Sequence, residues 1–333
     1  MGEPAGIGGE LTLTAWRAAK EQDLPVFAAT DDPERLERIA RAQGWHVPIK
    51  EIAALDEAPG CFGSALPVLK TPLVTTSRAG HPDAANSPAV LASIDRALDA
   101  TLGGAASAMV TNPIHKATLY AAGFGAPGHT EYLAEAIAAR LHKPPAHPVM
   151  MLTARDLRVV PVTIHNALKD AIAALTTDRI VQTAQGAAAA LRQDLAIAVP
   201  RLAIAALNPH AGEAGTLGRE EIEIIMPAVE TLRARGLTVD GPLPADTLFH
   251  EDARRSYDAV VCMYHDQALI PLKTVDFWGG VNVTLGLDIV RTSPDHGTAL
   301  ALAGSGKANP TSFFAALRCA SQIADNRARH GGG

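Results

Sequence analysis

The chain has 333 residues, 47% hydrophobic and 19% charged, and this balance excludes a disordered polymer and suggests two domains. Its net charge of −6 argues against nucleic acid or an anionic membrane as partner, so an anionic ligand would need a local cationic cluster. The three cysteines, Cys61, Cys262 and Cys319, follow no metal or disulfide spacing. No leader pattern or bilayer-length apolar run is present, which points to a soluble, reducing, cytoplasmic setting.

Apolar periodicity predicts helices over 9–20, 33–43, 88–101, 130–140, 178–195, 219–235 and 311–325. Short apolar runs predict strands over 25–29, 106–111, 148–153, 158–164, 202–207, 258–264 and 281–285. Several runs are continuous rather than alternating, as in strands covered by helices on both faces, so the fold class is α/β. Within 219–235, Ile222, Ile225, Met226, Val229 and Leu232 form one stripe, and Gly236 suits the left-handed position beyond the helix end.

The residues opening the chain, Gly2-Glu3-Pro4-Ala5-Gly6-Ile7-Gly8-Gly9, form a glycine-rich loop leading into a helix. Such a loop can present N–H groups to an anion, yet the spacing is not that of a dinucleotide fingerprint and a tight turn explains it equally. Lys116 follows the strand at 106–111 and is either a ligand-binding cation or a solvated one. Gly128-His129-Thr130-Glu131 opens a helix for which Thr130 is the expected N-cap.

Three predicted strands end alike. The run to Ile164 is followed by His165, the run to Leu207 by Asn208-Pro209-His210, and the run to Tyr264 by His265. Ligands of open α/β sheets bind beyond the carboxyl ends of strands, so three imidazoles from distant positions could gather around a divalent cation. With twelve histidines in the chain, each is equally open to a plain hydrogen-bonding role. Lys273, Asn282 and Arg291 follow in the same stretch and suit a phosphate or carboxylate. Asp246 sits in a proline-rich loop.

Read together, Gly2–Gly8, VTNPIHK at 110–116, GHTE at 128–131, LNPHAGE at 207–213, GPLPADTLF at 241–249, MYHDQ at 263–267, GVNVTLGL at 280–287 and RTSPDHGTA at 291–299 carry a resemblance through nearly the whole chain. The sequence resembles the 4-hydroxythreonine-4-phosphate dehydrogenase family of vitamin B6 biosynthesis. The resemblance implies a two-domain α/β/α fold of the isocitrate/isopropylmalate dehydrogenase type, with non-Rossmann nucleotide binding. The first domain is expected over 1–127 with 303–333, and the second, with the metal ligands and dimer interface, over 128–302.

The resemblance further implies that His165, His210 and His265 bind one divalent metal (Zn, Mg or Co) in a site shared by two subunits of a homodimer. It assigns substrate binding to His129, Thr130, Lys273, Asn282 and Arg291, with Asp246 joining from the partner subunit. Lys116 and Asp246 are the candidate catalytic residues. A wider similarity of 295–299 and 303–310 to the nucleotide loop of isopropylmalate and isocitrate dehydrogenases implies NAD or NADP at Asp295, His296, Gly297, Thr298 and Asn309. The activity implied is oxidation of 4-phosphooxy-L-threonine followed by decarboxylation to 3-amino-2-oxopropyl phosphate. A paralogue acting on a phosphorylated sugar acid or an aromatic cis-dihydrodiol is the alternative, and a three-histidine metallohydrolase a more distant one. Members of the family carry a short strand before the 2–8 loop, so either a strand precedes Met1 in the full protein or the sheet lacks one.

Overall fold

The computed structural model describes residues 1–126 and 128–330, without the side chain of His330. Two compact units are present: Met1–Ala146 with Leu287–Ala324, and His147–Gly286 with Asp325–Gly333. The chain thus leaves the first unit, returns to it and leaves it again, with crossovers at 146/147, 286/287 and 324/325 rather than at 127/128 and 302/303 alone. The cause is local packing. Leu133, Ala134 and Ile137 bury against Val90, Ile94 and Leu98 in a core that also holds Leu287 and Ile289, which keeps the helix after residue 128 in the first unit.

In chain order the first unit contains α1 (Gly8–Ala18), β1 (Ala29–Asp31), α2 (Pro33–Ala42), β2 (Ile49–Ile52), α3 (Ala58–Cys61), β3 (Leu66–Lys70), α4 (Ser87–Leu102), β4 (Met109–Val110), α5 (Lys116–Ala121) and α6 (His129–Leu141). The second contains β5 (Val149–Ala154), β6 (Leu157–Pro161), α7 (Leu168–Ala174), α8 (Thr177–Gln193), β7 (Arg201–Ala205), α9 (Met226–Ala234), β8 (Thr238–Leu243), α10 (Glu251–Arg254), β9 (Ala259–Cys262), α11 (His265–Val275) and β10 (Val281–Leu285). Then follow β11 (Arg291–Pro294) and α12 (Thr311–His330). No helix among the described residues is long and apolar enough to cross a membrane.

In the first unit β1, β3 and β2 form a parallel sheet in that order, and β4 pairs in parallel with β11. In the second unit the strands run β10-β5-β6-β9-β7-β8. Pairings among β10, β5 and β6 are antiparallel, and those along β6-β9-β7-β8 are parallel. The continuous apolar runs read from sequence are the buried ones: Ala259, Val260, Val261 and Cys262 are each fully buried. Burial also pushes the Cys262 thiol up, so it packs as a small hydrophobe and not as a nucleophile.

Local signals fix the helix ends. Asp32 caps α2 by accepting from Arg35 N at 3.2 Å, with Pro33 at the first helical position. Thr176 caps α8 by accepting from Arg179 N at 3.2 Å. The helix predicted over 219–235 is two pieces, a π turn at Glu221–Ile225 followed by α9, and Gly236 does take the left-handed form with φ 80°.

The glycine-rich loop at 2–8 is clamped from several sides. Arg35, 1% exposed, donates to Pro4 O from Nε at 3.1 Å and Nη2 at 2.9 Å, and from Nη1 to Asp31 Oδ2 at 2.8 Å. Glu3 N donates to Pro113 O at 2.9 Å, and Ile7 N to Thr298 O at 3.1 Å. A Cβ on Gly8 would stand 2.9 Å from Asn112 Cγ, so the buried Asn112 requires glycine there. Removing Arg35 strands both the Asp31 carboxylate and the Pro4 carbonyl in a dry interior. Arg35→Ala is therefore expected to cost about 3–5 kcal/mol, read as a lower urea midpoint, and the Asp31→Leu/Arg35→Met double variant is expected to lose less.

Candidate active site

Four adjacent parallel strands of the second unit deliver candidate residues to one edge. Val159 pairs with Val260 and Pro161 with Cys262. Beyond the strands the pairing continues, Val162 N donating to Cys262 O at 2.8 Å and Thr163 Oγ1 to Met263 O at 2.8 Å. Two residues further on lie His165 and His265, whose ring centroids are 6.0 Å apart. That spacing lets both rings reach one ion bonded at about 2.0–2.1 Å to each nitrogen.

His265 does not end a strand. It is the first residue of α11, which Tyr264 precedes in extended conformation. Its Nδ1 lies 2.7 Å from Asp266 Oδ1, the carboxylate contact that orients a ligating imidazole and leaves Nε2 available. Gln267 was not singled out from sequence. It is buried, accepts from Met263 N at 2.7 Å and donates to Ala206 O at 2.6 Å, tying the ends of β9 and β7 together.

Beyond β7 the backbone turns the unusual way. His210, Ala211, Gly212, Glu213 and Ala214 all adopt left-handed φ/ψ, with φ of 52°, 52°, 75°, 42° and 54°. Non-glycine residues in that region cost about 1–2 kcal/mol each, so the surroundings must impose it. His210 is exposed on this turn. The 209–215 turn packs against the turn at 245–247, which carries Asp246, because Ala206 N donates to Leu243 O at 2.8 Å and seats the end of β8 beside that of β7. Among the described residues no three His, Cys, Asp or Glu side chains converge closely enough to enclose an ion. His165 and His265 are together, and His210 and Asp246 share their edge.

A second group lies in the first unit. Arg291 opens β11, is 4% exposed, and donates from Nη2 to Thr111 Oγ1 at 2.6 Å. Burial pushes its guanidinium down to about 10, which leaves it charged at neutral pH. His129 is held well below the usual imidazole range, by burial first and then by the positive charge of Arg291, and is neutral. Its Nε2 is buried without a hydrogen-bond partner among the described residues. The N-cap of α6 is Gly128, not Thr130, and no side chain caps that end, so the Thr130 hydroxyl is not spent on its own helix. The place a Gly128 Cβ would take lies 3.3 Å from Lys116 Nζ, so Lys116 on α5 stands at the start of α6. Helix amino terminus, lysine and buried arginine together favour an anion.

The expected nucleotide residues follow β11. Asp295 N donates to Ser312 Oγ at 3.0 Å, Thr298 O accepts from Ile7 N, and Gly297 is exposed. His296 Nδ1 lies 3.0 Å from Gly297 O, while its Nε2 is buried without a partner among the described residues. Asn309 Oδ1 accepts from Thr311 N at 2.9 Å and so serves the start of α12. The N–H groups of Gly304 and Gly306 donate to the buried Glu10 carboxylate, which fixes this loop without a ligand. In the second unit Lys273, on α11, stands over the Phe277 ring at 5.4 Å, and Asn282, on β10, has a buried Oδ1 without a partner among the described residues. Buried polar atoms are rarely left unpaired, and among the described residues those without a partner include His129 Nε2, Asn282 Oδ1 and His296 Nε2, at positions the family resemblance assigns to a ligand.

Comparison with known proteins bears on the whole chain. The family model for the pyridoxal phosphate biosynthetic protein PdxA matches residues 23–320. A 4-hydroxythreonine-4-phosphate dehydrogenase of Caulobacter vibrioides is 53% identical over 98% of this chain and 96% of its own. The crystal structure of a 4-hydroxythreonine-4-phosphate dehydrogenase from Burkholderia phymatum is 37% identical, with a TM-score of 0.82 over 97% of this chain and 96% of the other. A terephthalate 1,2-cis-dihydrodiol dehydrogenase from Burkholderia xenovorans is 28% identical, with a TM-score of 0.62 over 97% and 96%. With the family model spanning most of its length and a relative above half identity end to end, the chain belongs to the PdxA family of pyridoxal phosphate biosynthetic proteins.

Proposed function

We propose that this chain is a metal-dependent, NAD(P)-linked dehydrogenase that oxidises 4-phosphooxy-L-threonine at its C3 hydroxyl and then releases CO₂, giving 3-amino-2-oxopropyl phosphate. The observation that carries the metal assignment is the arrival of His165, His265 and His210 at the carboxyl ends of three adjacent parallel strands, β6, β9 and β7. Imidazole is a fitting donor for Zn²⁺ or Co²⁺, less so for Mg²⁺. A divalent cation held there supplies Lewis acidity, which eases loss of the hydroxyl proton and draws electrons as CO₂ departs. The nicotinamide of NAD or NADP supplies the hydride acceptor, and Asp295, His296, Gly297, Thr298 and Asn309 are the residues assigned to the nucleotide.

The chain's own groups do the rest. Arg291 is a buried, charged anchor for a substrate anion, and Lys116 adds a second cation at the start of α6. His129, being neutral, offers Nε2 as a hydrogen-bonding group and not as a charge, with the Thr130 hydroxyl beside it. Lys273, on α11, and Asn282, on β10, are further residues that the family resemblance assigns to the substrate. Asp246 is the candidate to take the hydroxyl proton, a role open to Lys116 only as the neutral amine and not while it serves as a cation. The protein acts as a homodimer in the cytoplasm, with Asp246 and His265 serving a site shared with a second copy. Exposed Ile270, Phe277 and Trp278, at 64%, 60% and 56%, support an apolar contact on this unit, and three free cysteines suit a reducing compartment.

Turnover of 4-phosphooxy-L-threonine with each nucleotide and added Co²⁺, Zn²⁺ or Mg²⁺, followed at the reduced-nicotinamide band, tests the assignment. His210→Ala is expected to lower kcat/KM at least about a hundredfold, since Lewis-acid stabilisation is worth several kcal/mol, while the circular dichroism spectrum stays unchanged. Turnover of a terephthalate cis-dihydrodiol in place of the phosphorylated substrate would favour the second reading, which the 28% identical relative motivates.

The depressed imidazole of His129 has a consequence for stability. The unfolded chain takes up a proton near the ordinary value of 6.5 and the folded chain does not, so the stabilisation is complete above about pH 6.5 and declines as pH falls below it. His129→Gln is expected to flatten that acid-side decline in melting temperature; an unchanged slope would show that His129 is not held neutral.

A further inference from the structure

Resting on the reading of His210 as a metal ligand, we propose that Glu221 is a positioning residue: its buried carboxylate holds the 210–214 turn in the left-handed form that presents His210 to the cation. Glu221 is 3% exposed. Its Oε1 accepts from Leu207 N at 2.8 Å and from Asn208 N at 2.7 Å, the two residues that lead into the turn. Its Oε2 accepts from Asn208 Nδ2 at 2.9 Å, and Glu220 Oε2 accepts from the same amide at 2.7 Å. At the turn's centre, a Cβ on Gly212 would stand 2.6 Å from Glu221 Oε2, so only glycine lets the turn close over the carboxylate.

One side chain therefore touches both the entry and the middle of a segment containing four non-glycine residues in the left-handed region. Glu221 reaches that place as the first residue of the π turn, where the backbone departs from regular helix, a departure common at functional sites. The hydrogen bonds it accepts are charge-assisted and dry, hence stronger than neutral ones. They oppose the local preference for right-handed backbone, and relaxation of the turn would carry His210 away from the edge it shares with His165 and His265.

The test uses the full-length chain, stripped of metal with a chelator and titrated with Co²⁺, with heat and visible absorption both recorded. Wild type is expected to bind one Co²⁺ per subunit. Glu221→Ala is expected to weaken binding about 10–100-fold and to change the Co²⁺ absorption. Glu221→Gln should recover part of the loss, because its Oε1 still accepts from both backbone N–H groups while its Nε2 cannot accept from Asn208 Nδ2. Gly212→Ala, which leaves the carboxylate in place but crowds it, should weaken binding at least tenfold. A folded Glu221→Ala protein with wild-type affinity and spectrum, or Gly212→Ala behaving so if the first variant does not fold, overturns the proposal. Wild type that binds no Co²⁺, or His210→Ala that binds it as tightly, removes instead the metal assignment beneath it.

Discussion

Parallel pairing along β6-β9-β7-β8 is the constraint from which the candidate metal site follows. In parallel strands every chain leaves the sheet at the same edge, so residues just beyond four strand ends become neighbours whatever their separation in sequence. The register decides which ones. Val159 opposite Val260 and Pro161 opposite Cys262 set which residues past the strand ends come together, His165 and His265 among them, and a slip of one residue would turn one of the two strands' side chains to the opposite face. The apolar filling of these strands pins that register, since Val159, Val260, Cys262, Ala203 and Ala205 lie in one core cluster. The chemistry at the edge thus depends on packing beneath it more than on any contact among the histidines themselves.

That edge is finished by buried polar groups that replace strand pairing where the strands stop. Gln267 links the ends of β9 and β7, and Glu221 receives the N–H groups beyond β7. Each such group satisfies backbone that would otherwise be stranded at the boundary of the core. Each also fixes the direction in which the chain departs, which determines where the next side chain arrives. A loop held only by solvent could not keep four non-glycine residues of a five-residue run left-handed.

Long periodic elements were legible in the sequence: α1, α2, α4, α6, α8 and α12 fall close to their predicted spans, and β5, β7, β9 and β10 likewise, while α9 fills only the second half of its predicted span. What escaped has physical causes. The sheet of β1, β3 and β2 was nearly invisible, because β3 carries Pro67 and β2 alternates Ile49 and Ile52 with Lys50 and Glu51 over only four residues. Strand β8 contains Gly241 and Pro242 and read as a loop; as the last strand of its sheet it tolerates proline. Helix α11 was hidden by Pro271 and by the apolar strand running straight into it. The histidines were found through the motif and the strand-end rule, but Glu221 was not, since among Glu220, Glu221 and Glu223 it looked like ordinary acidic decoration of a helix start. Only a π turn separates a solvated glutamate from a buried one there, and no periodicity announces it.

Overall acidity and a site for an anion are reconciled by where the charges are kept. A chain of net charge −6 cannot draw an anionic ligand through its general field, so recognition must come at short range. Arg291 is buried deeply enough to lower its proton affinity and still remains charged, because a guanidinium begins so far above neutrality. A second full charge beside it in the same dry surroundings would be costly, and His129 answers by staying neutral. The pair therefore offers one fixed positive charge and one uncharged ring whose nitrogen can either give or take a hydrogen bond. For an anionic ligand such a pair would add orientation to attraction, because charge alone holds an anion without fixing which of its groups is presented.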